Sequence, residues 1–198
     1  MRETEITVEV LEEKQTLIDK LINCGFVQQC EFTMHDKYYS PIPLVILKDN
    51  SFETIIRNSF LLRTIKEIKE SKSQETNLLI YKDKQFDKQG NVVSEEKVQT
   101  SLNSTEKHYE IFKKAGFNPY ATILSSNVVF KKEEVELVIQ DVEGVGIFIE
   151  FEEYESISHL SPKEKIEVLK NTLLSLKLSL GTNFSCKKLE LYLNKNKL

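Results

Sequence analysis

The stretch Asp141-Val-Glu-Gly-Val-Gly-Ile-Phe-Ile-Glu-Phe-Glu152 limits the fold more than any other part of the chain. From Ile147 onward it alternates strictly. Ile147, Ile149 and Phe151 share one face of a strand, and Phe148, Glu150 and Glu152 share the other. The Gly144-Val145-Gly146 segment turns the chain just ahead of it. Carboxylates at i and i+2 concentrate negative charge on one surface, which then needs water, a cation or a basic partner. A solvated outer face of an antiparallel strand meets that need. The N-terminus supplies an alternative, because Glu3, Glu5, Thr7 and Glu9 alternate with Thr4, Ile6, Val8 and Val10 in the same way. Two acidic strands at opposite ends of the main fold read as two walls of one site.

The segments between these strands fill in the architecture. Leu17, Ile18, Leu21 and Ile22 recur at helical spacing and stop at Gly25. Phe26 to Tyr39 reads as a long strand, Leu44 to Leu47 as a short one, and Ser51 to Asn58 as a turn or short helix. Strands follow at Leu61–Ile68, Leu78–Lys82 and Val92–Leu102, the last after a turn at Asp87–Asn91. Asn103 to Glu106 has a capping-box pattern that opens a helix ending at Gly116. Three more strands are expected at Tyr120–Lys131, Val135–Gln140 and Gly146–Tyr154. Ser161-Pro162-Lys163-Glu164 then starts a helix that runs toward Gly181, before a Lys-rich tail.

Two helix ends, Cys24-Gly25-Phe26 and Ala115-Gly116-Phe117, echo one another, so the chain reads as two strand–helix–strands halves. The fold class expected is α+β: a closed or nearly closed antiparallel eight-stranded β-barrel, a tunnel, with helices packed outside. Residues 1–155 form the tunnel domain, and residues 156–198 a C-terminal helix and tail packed on it. If the apolar strand faces pack on the helices, the polar faces line the tunnel and bring Glu3, Glu5, Glu150 and Glu152 together.

Bulk properties narrow the function. A net charge of −4, with acids and bases mixed, lacks the basic stripe of a nucleic-acid binder. No apolar run is long enough to span a membrane, and the start lacks a signal peptide's apolar core. Three cysteines without CxxC spacing read as reduced thiols of a cytoplasmic protein. His35, His108 and His159 show no ligand spacing.

In order and spacing, the motifs resemble the CYTH superfamily, the triphosphate tunnel fold of class IV adenylate cyclases and thiamine triphosphatases. Glu3-Thr4-Glu5-Ile6-Thr7 stands against that family's E-x-E-x-K, and Asp36-Lys37-Tyr38-Tyr39 against D-x-Y-F. Leu62-Arg63-Thr64-Ile65 stands against L-R-x-R, Leu79-Ile80-Tyr81-Lys82 against L-T-Y-K, and the opening stretch against G-L-G-x-F-x-E-x-E. The resemblance implies a small phosphorylated ligand held with Mg²⁺ or Mn²⁺, hard cations suited to oxygen ligands. It gives Glu3, Glu5, Glu150 and Glu152 as metal ligands and Glu3, Glu5 and Lys82 as catalytic residues. Arg63, Lys66, Lys82, Asp36 and Tyr38 form the implied substrate-binding set, and a homodimer is compatible with the family.

The chain departs from the pattern at Thr7, Ile65, Ser125 and Asn127, where the family carries bases. Each lost contact to a charged group removes about 1.5–3 kcal/mol of binding. Counted this way the tunnel is more acidic than basic, with Glu3, Glu5, Glu9, Glu67, Glu150 and Glu152 against Arg63 and Lys82, and Lys66, Lys84 or Lys97 compensates only in a different strand register. Three readings stay open. The first is a metal-dependent adenylate cyclase-type or triphosphatase enzyme acting on a nucleotide or organic polyphosphate. The second is a diverged tunnel for a less anionic or partly cationic ligand. The third is a non-catalytic binding protein.

Overall fold

Strand and helix periods sort the chain into one curled sheet and the helices that cover it. The computed structural model describes residues 4–47, 49–69, 72–90 and 92–196. Eight strands make the sheet: β1 (Glu5–Val10), β2 (Val27–Ser40), β3 (Phe60–Lys69), β4 (Lys72–Phe86), β5 (Val92–Leu102), β6 (Asn118–Lys132), β7 (Val135–Val142) and β8 (Gly146–Glu152). Their order is β1-β8-β7-β6-β2-β3-β4-β5, with every neighbouring pair antiparallel. The strands curl into a tunnel whose two edges, β1 and β5, do not pair with each other among the described residues.

A C-terminal segment occupies that seam. Leu11 N–H donates to the Ser179 carbonyl at 2.8 Å, and Gly181 N–H to that of Glu9 at 2.8 Å. Thr7 N–H donates to the Phe184 carbonyl at 3.2 Å, and Cys186 N–H to that of Thr7 at 2.9 Å. On the other side, Val92 N–H donates to Ser185 Oγ at 3.0 Å. Residues 179–186 thus pair with the N–H groups of Thr7 and Leu11 and the carbonyls of Thr7 and Glu9, which blunts an otherwise open edge.

Helices α1 (Lys14–Asn23) and α5 (Pro162–Ser175) cover the outside of β1, β6, β7 and β8. Alternation turns Ile6, Val8, Ile149 and Phe151 toward Leu17, Leu21, Leu169 and Leu173 in one buried cluster. Burying each such side chain contributes about 1.5–3 kcal/mol. The α5 start has both halves of its capping box, Ser161 with Glu164. Helix α4 (Thr105–Lys114) lies outside β2 and β3, where Phe112 meets Phe60 with ring centroids 4.6 Å apart and Tyr39 at 5.7 Å. A second cluster stops one end of the tunnel. There Tyr38, Leu61, Ile80 and Phe148 from the strands meet Ile55 and Ile56 of α3 (Phe52–Arg57) and Leu189 and Leu193 of α6 (Lys188–Lys195).

Several local expectations change. Leu44–Leu47 is a short helix, α2, because Ile46 and Leu47 donate back to the Pro43 carbonyl where a strand would need a lateral partner. The N-cap of α4 is Ser104, one residue past the expected Asn103, and it caps without a side-chain hydrogen bond. Helix α5 ends at Ser175, short of Gly181, since residues 179–186 are drawn into the seam. The Lys-rich end is also not a solvated tail but helix α6, anchored by buried Leu189 and Leu193.

Candidate functional site

Alternation aims one set of side chains into the tunnel. The β1–β8 register sets Glu5 against Glu152 and Thr7 against Glu150. The β4–β5 register sets Lys82 against Lys97 and Lys84 against Glu95. The β2–β3 register sets Asp36 against Arg63. These groups and Lys188 of α6 surround a cavity of about 210 Å³, with a smaller lobe of about 70 Å³ toward Ser185 and Leu189. A wider groove of about 670 Å³ runs over the outer face past Thr33, His35 and Leu124. The clustered acids and bases lie in the smaller, inner spaces.

One oxygen from each of Glu5, Glu150 and Glu152 lies within 4.8 Å of the others. Three carboxylates at that separation suit a hard divalent cation, whose oxygen ligands sit about 2.0–2.6 Å away. The donor set therefore fits Mg²⁺ or Mn²⁺. Glu3, assigned to the same set from the sequence, lies outside the described residues.

Around the trio stands a belt of cations. Lys188 Nζ donates to Glu150 Oε2 at 2.5 Å and also to Gln140 Oε1. Lys97 Nζ is 3.1 Å from Glu152, 3.7 Å from Glu5 and 3.7 Å from Glu95. Lys82 Nζ is 3.2 Å from Glu95, while Lys84 pairs closely with Glu95 and lies 3.9 Å from Glu5. Arg63 donates through Nε and Nη2 to the two oxygens of Asp36 at 2.7 and 2.6 Å, a bidentate pair that fixes the guanidinium plane. Asp36, itself in the cavity wall, thus orients the Arg63 guanidinium.

The electrostatics follow from burial and from these neighbours. Glu95 is 1% exposed. Burial opposes its ionisation, but Lys82, Lys84 and Lys97 pull its carboxyl down to about 2. At Glu150 burial again opposes ionisation, and Lys188, with help from Lys82 and Lys97, holds it well below the usual carboxylate range. Glu5 is pushed up, first by burial and then by Glu150 and Glu95. Lys84 is pushed down by burial and by Lys82. Burial disfavours the charged form of Lys97, but Glu5 and Glu152 raise it above its ordinary value. Burial and Asp36 raise the Tyr38 phenol, which lies in the cluster at the stopped end and borders the cavity.

The structure brings together Glu5, Glu150, Glu152, Lys82, Arg63, Asp36 and Tyr38 from the sequence-derived set. Lys66 is the exception. Three residues from Arg63 on a strand, it falls on the opposite face, exposed, 3.3 Å from Glu75. The expected excess of acid is also corrected, because Lys84, Lys97 and Lys188 enter the tunnel beside Arg63 and Lys82. The wall at Ser125, Asn127 and Gln140 is buried and neutral, with Asn127 Nδ2 donating to the Phe32 and Ser125 carbonyls at 3.3 and 3.2 Å. Sequence reasoning passed over Glu95 as a site residue, although Glu95 and Lys97, like Lys82 and Lys84, are charges at i and i+2 on a strand. That is the signal that exposed Glu150 and Glu152. Lys188 has no such signal, since it arrives from a distant helix.

No family model matches the chain. Over 181 residues it is 29% identical to the Methanocaldococcus jannaschii protein named "Putative adenylate cyclase MJ0240", covering 90% of this chain and 91% of that one. Among solved structures it is similar to the PH1819 protein of Pyrococcus horikoshii OT3, with a TM-score of 0.69 at 19% identity over 98% of this chain and 99% of that one. It is also similar to HpAC1 from Hippeastrum, a protein with a dominant triphosphatase activity, with a TM-score of 0.59 at 14% identity over 97% and 95% of the two chains. The two structural likenesses show the fold, and the archaeal relative matches along nearly the whole sequence. In its eight-stranded tunnel and in its match to that relative, the chain is similar to proteins named as adenylate cyclases, in line with the resemblance to the CYTH superfamily.

Proposed function

We propose that the protein is a metal-dependent enzyme that cleaves a phosphoanhydride bond of a nucleotide or other organic polyphosphate, as a triphosphatase or as an adenylate cyclase. One observation carries the reading. The Glu5, Glu150 and Glu152 trio clusters with Arg63, Lys82, Lys84, Lys97 and Lys188 around two cavities that share Lys82, Glu150 and Lys188 in their walls. In this reading the trio holds the divalent ion, which when bound polarises phosphate oxygens and activates the attacking water or hydroxyl. Arg63, held flat by Asp36, and the lysines orient the phosphate chain through charge-assisted hydrogen bonds. The apolar cluster at the stopped end lowers the local dielectric and strengthens these contacts.

The names of relatives support both outcomes, since one is called an adenylate cyclase and another has a dominant triphosphatase activity. The two differ in the attacking oxygen and in the phosphorus it reaches: water at the terminal phosphorus releases phosphate, and a ribose hydroxyl at the α-phosphorus releases pyrophosphate. A second reading rests on the neutral wall at Ile65, Ser125 and Asn127, which favours a ligand with fewer phosphates on that side.

The test is a thermal-shift titration of the wild type and a Glu150→Gln/Glu152→Gln variant with Mn²⁺, then with added tripolyphosphate or ATP. A rise in Tm that needs both metal and polyphosphate, and is absent in the variant, is expected. Assays for released phosphate and cyclic AMP then separate the two chemistries. A flat response of the wild type to every combination overturns the proposal.

A further inference from the structure

Each carboxylate of the candidate metal trio already has an ammonium group beside it. Lys97 serves Glu152 and Glu5, and it is anchored in β5 next to Glu95. Lys188 differs in origin. It comes from α6, beyond the seam segment, and reaches Glu150 with neutral Gln140 as its other partner. The residues flanking it are fixed. Lys187 lies over the rings of Phe52 and Phe86 at 5.2 and 5.6 Å, and Leu189 is buried in the stopped end. Lys188 can therefore change partner by side-chain rotation, with the seam intact.

An ammonium group at hydrogen-bonding distance from Glu150 and a divalent ion on the same carboxylate would repel each other strongly at this partly buried depth. We propose that Lys188 is a resident counter-cation. It holds Glu150 until a divalent ion takes that carboxylate, and it then turns to the polyphosphate. This inference rests on the polyphosphate reading above and deepens it. Metal alone must displace a lysine that gains no new partner. Polyphosphate alone must draw lysines away from their glutamates. Together the two ligands exchange partners with the protein, so each tightens the other by the same factor. Lys188 is in this sense a positioning residue that links the two occupancies.

The experiment is calorimetric titration of Mn²⁺, without and with tripolyphosphate, into the full-length wild type and a Lys188→Met variant. The variant is expected to bind Mn²⁺ alone about tenfold tighter or more, and to lose most of the further tightening by tripolyphosphate. Equal or weaker Mn²⁺ binding by the variant overturns the proposal. A measurement on the wild type guards against a variant that folds poorly. Acetylation of Lys188 by an amine-reactive ester, followed by mass spectrometry, is expected to speed up when Mn²⁺ is added. Unchanged labelling at a Mn²⁺ concentration that saturates the protein overturns the exchange. If tripolyphosphate has no effect on any protein, the polyphosphate reading falls, while the Mn²⁺-only comparison still decides the role of Lys188.

Discussion

Glu95 sits buried where three lysines converge. Removing one partner of a buried ion cluster leaves the others uncompensated, at a cost of about 3–5 kcal/mol. Glu95→Gln is therefore expected to lower the unfolding free energy by that amount at pH 7, as read from urea denaturation. The pH dependence has a definite sign. The folded-state pKa, about 2, lies below the ordinary 4.5, so the ionised carboxylate contributes stability above about pH 4.5. That contribution is lost as the pH falls from 4.5 toward 2. The gap between wild type and variant should close across that window, and a gap unchanged at pH 2.5 would contradict the assignment. Asp36 makes a separate prediction. Asp36→Asn weakens the fork that holds Arg63, so the KM for polyphosphate should rise by about tenfold while the Lys188–Glu150 contact persists.

At the level of elements, α6 both stops the tunnel and carries Lys188, so its packing and the site are linked. Leu189→Ala or Leu193→Ala is expected to cost about 2–5 kcal/mol, measured by thermal or urea unfolding. Either substitution should also weaken the joint response to metal and polyphosphate. This helix is where the sequence was least informative. Strands such as β1 and β8 were legible because Glu5–Thr7 and Glu150–Glu152 alternate against Ile6–Val8 and Ile149–Phe151, a pattern complete within a few residues. The start of α5 was legible for the same reason, through Ser161, Pro162 and Glu164. Leu189 and Leu193 follow a helical period too short to stand out among lysines, and the partner of Lys188 is far away in sequence. Lys66 misled because its adjacency to Ile65 in the chain places it on the other side of the sheet.

For the whole molecule, the governing fact is that strands distant in sequence are neighbours in space. β1 pairs with β8, β2 pairs with β6, and Thr7 bonds to Cys186. Such pairings carry a large loop-closure entropy, so refolding is expected on the millisecond-to-second scale. Stopped-flow refolding complete in well under a millisecond would contradict this. The seam has a further consequence for a chain made from one end to the other on a ribosome. All eight strands emerge before residues 179–188, leaving a trough open along one side. During that interval Glu150 lacks Lys188 and keeps only the more distant charges of Lys82 and Lys97, so its carboxylate is open to cations of the surrounding solution.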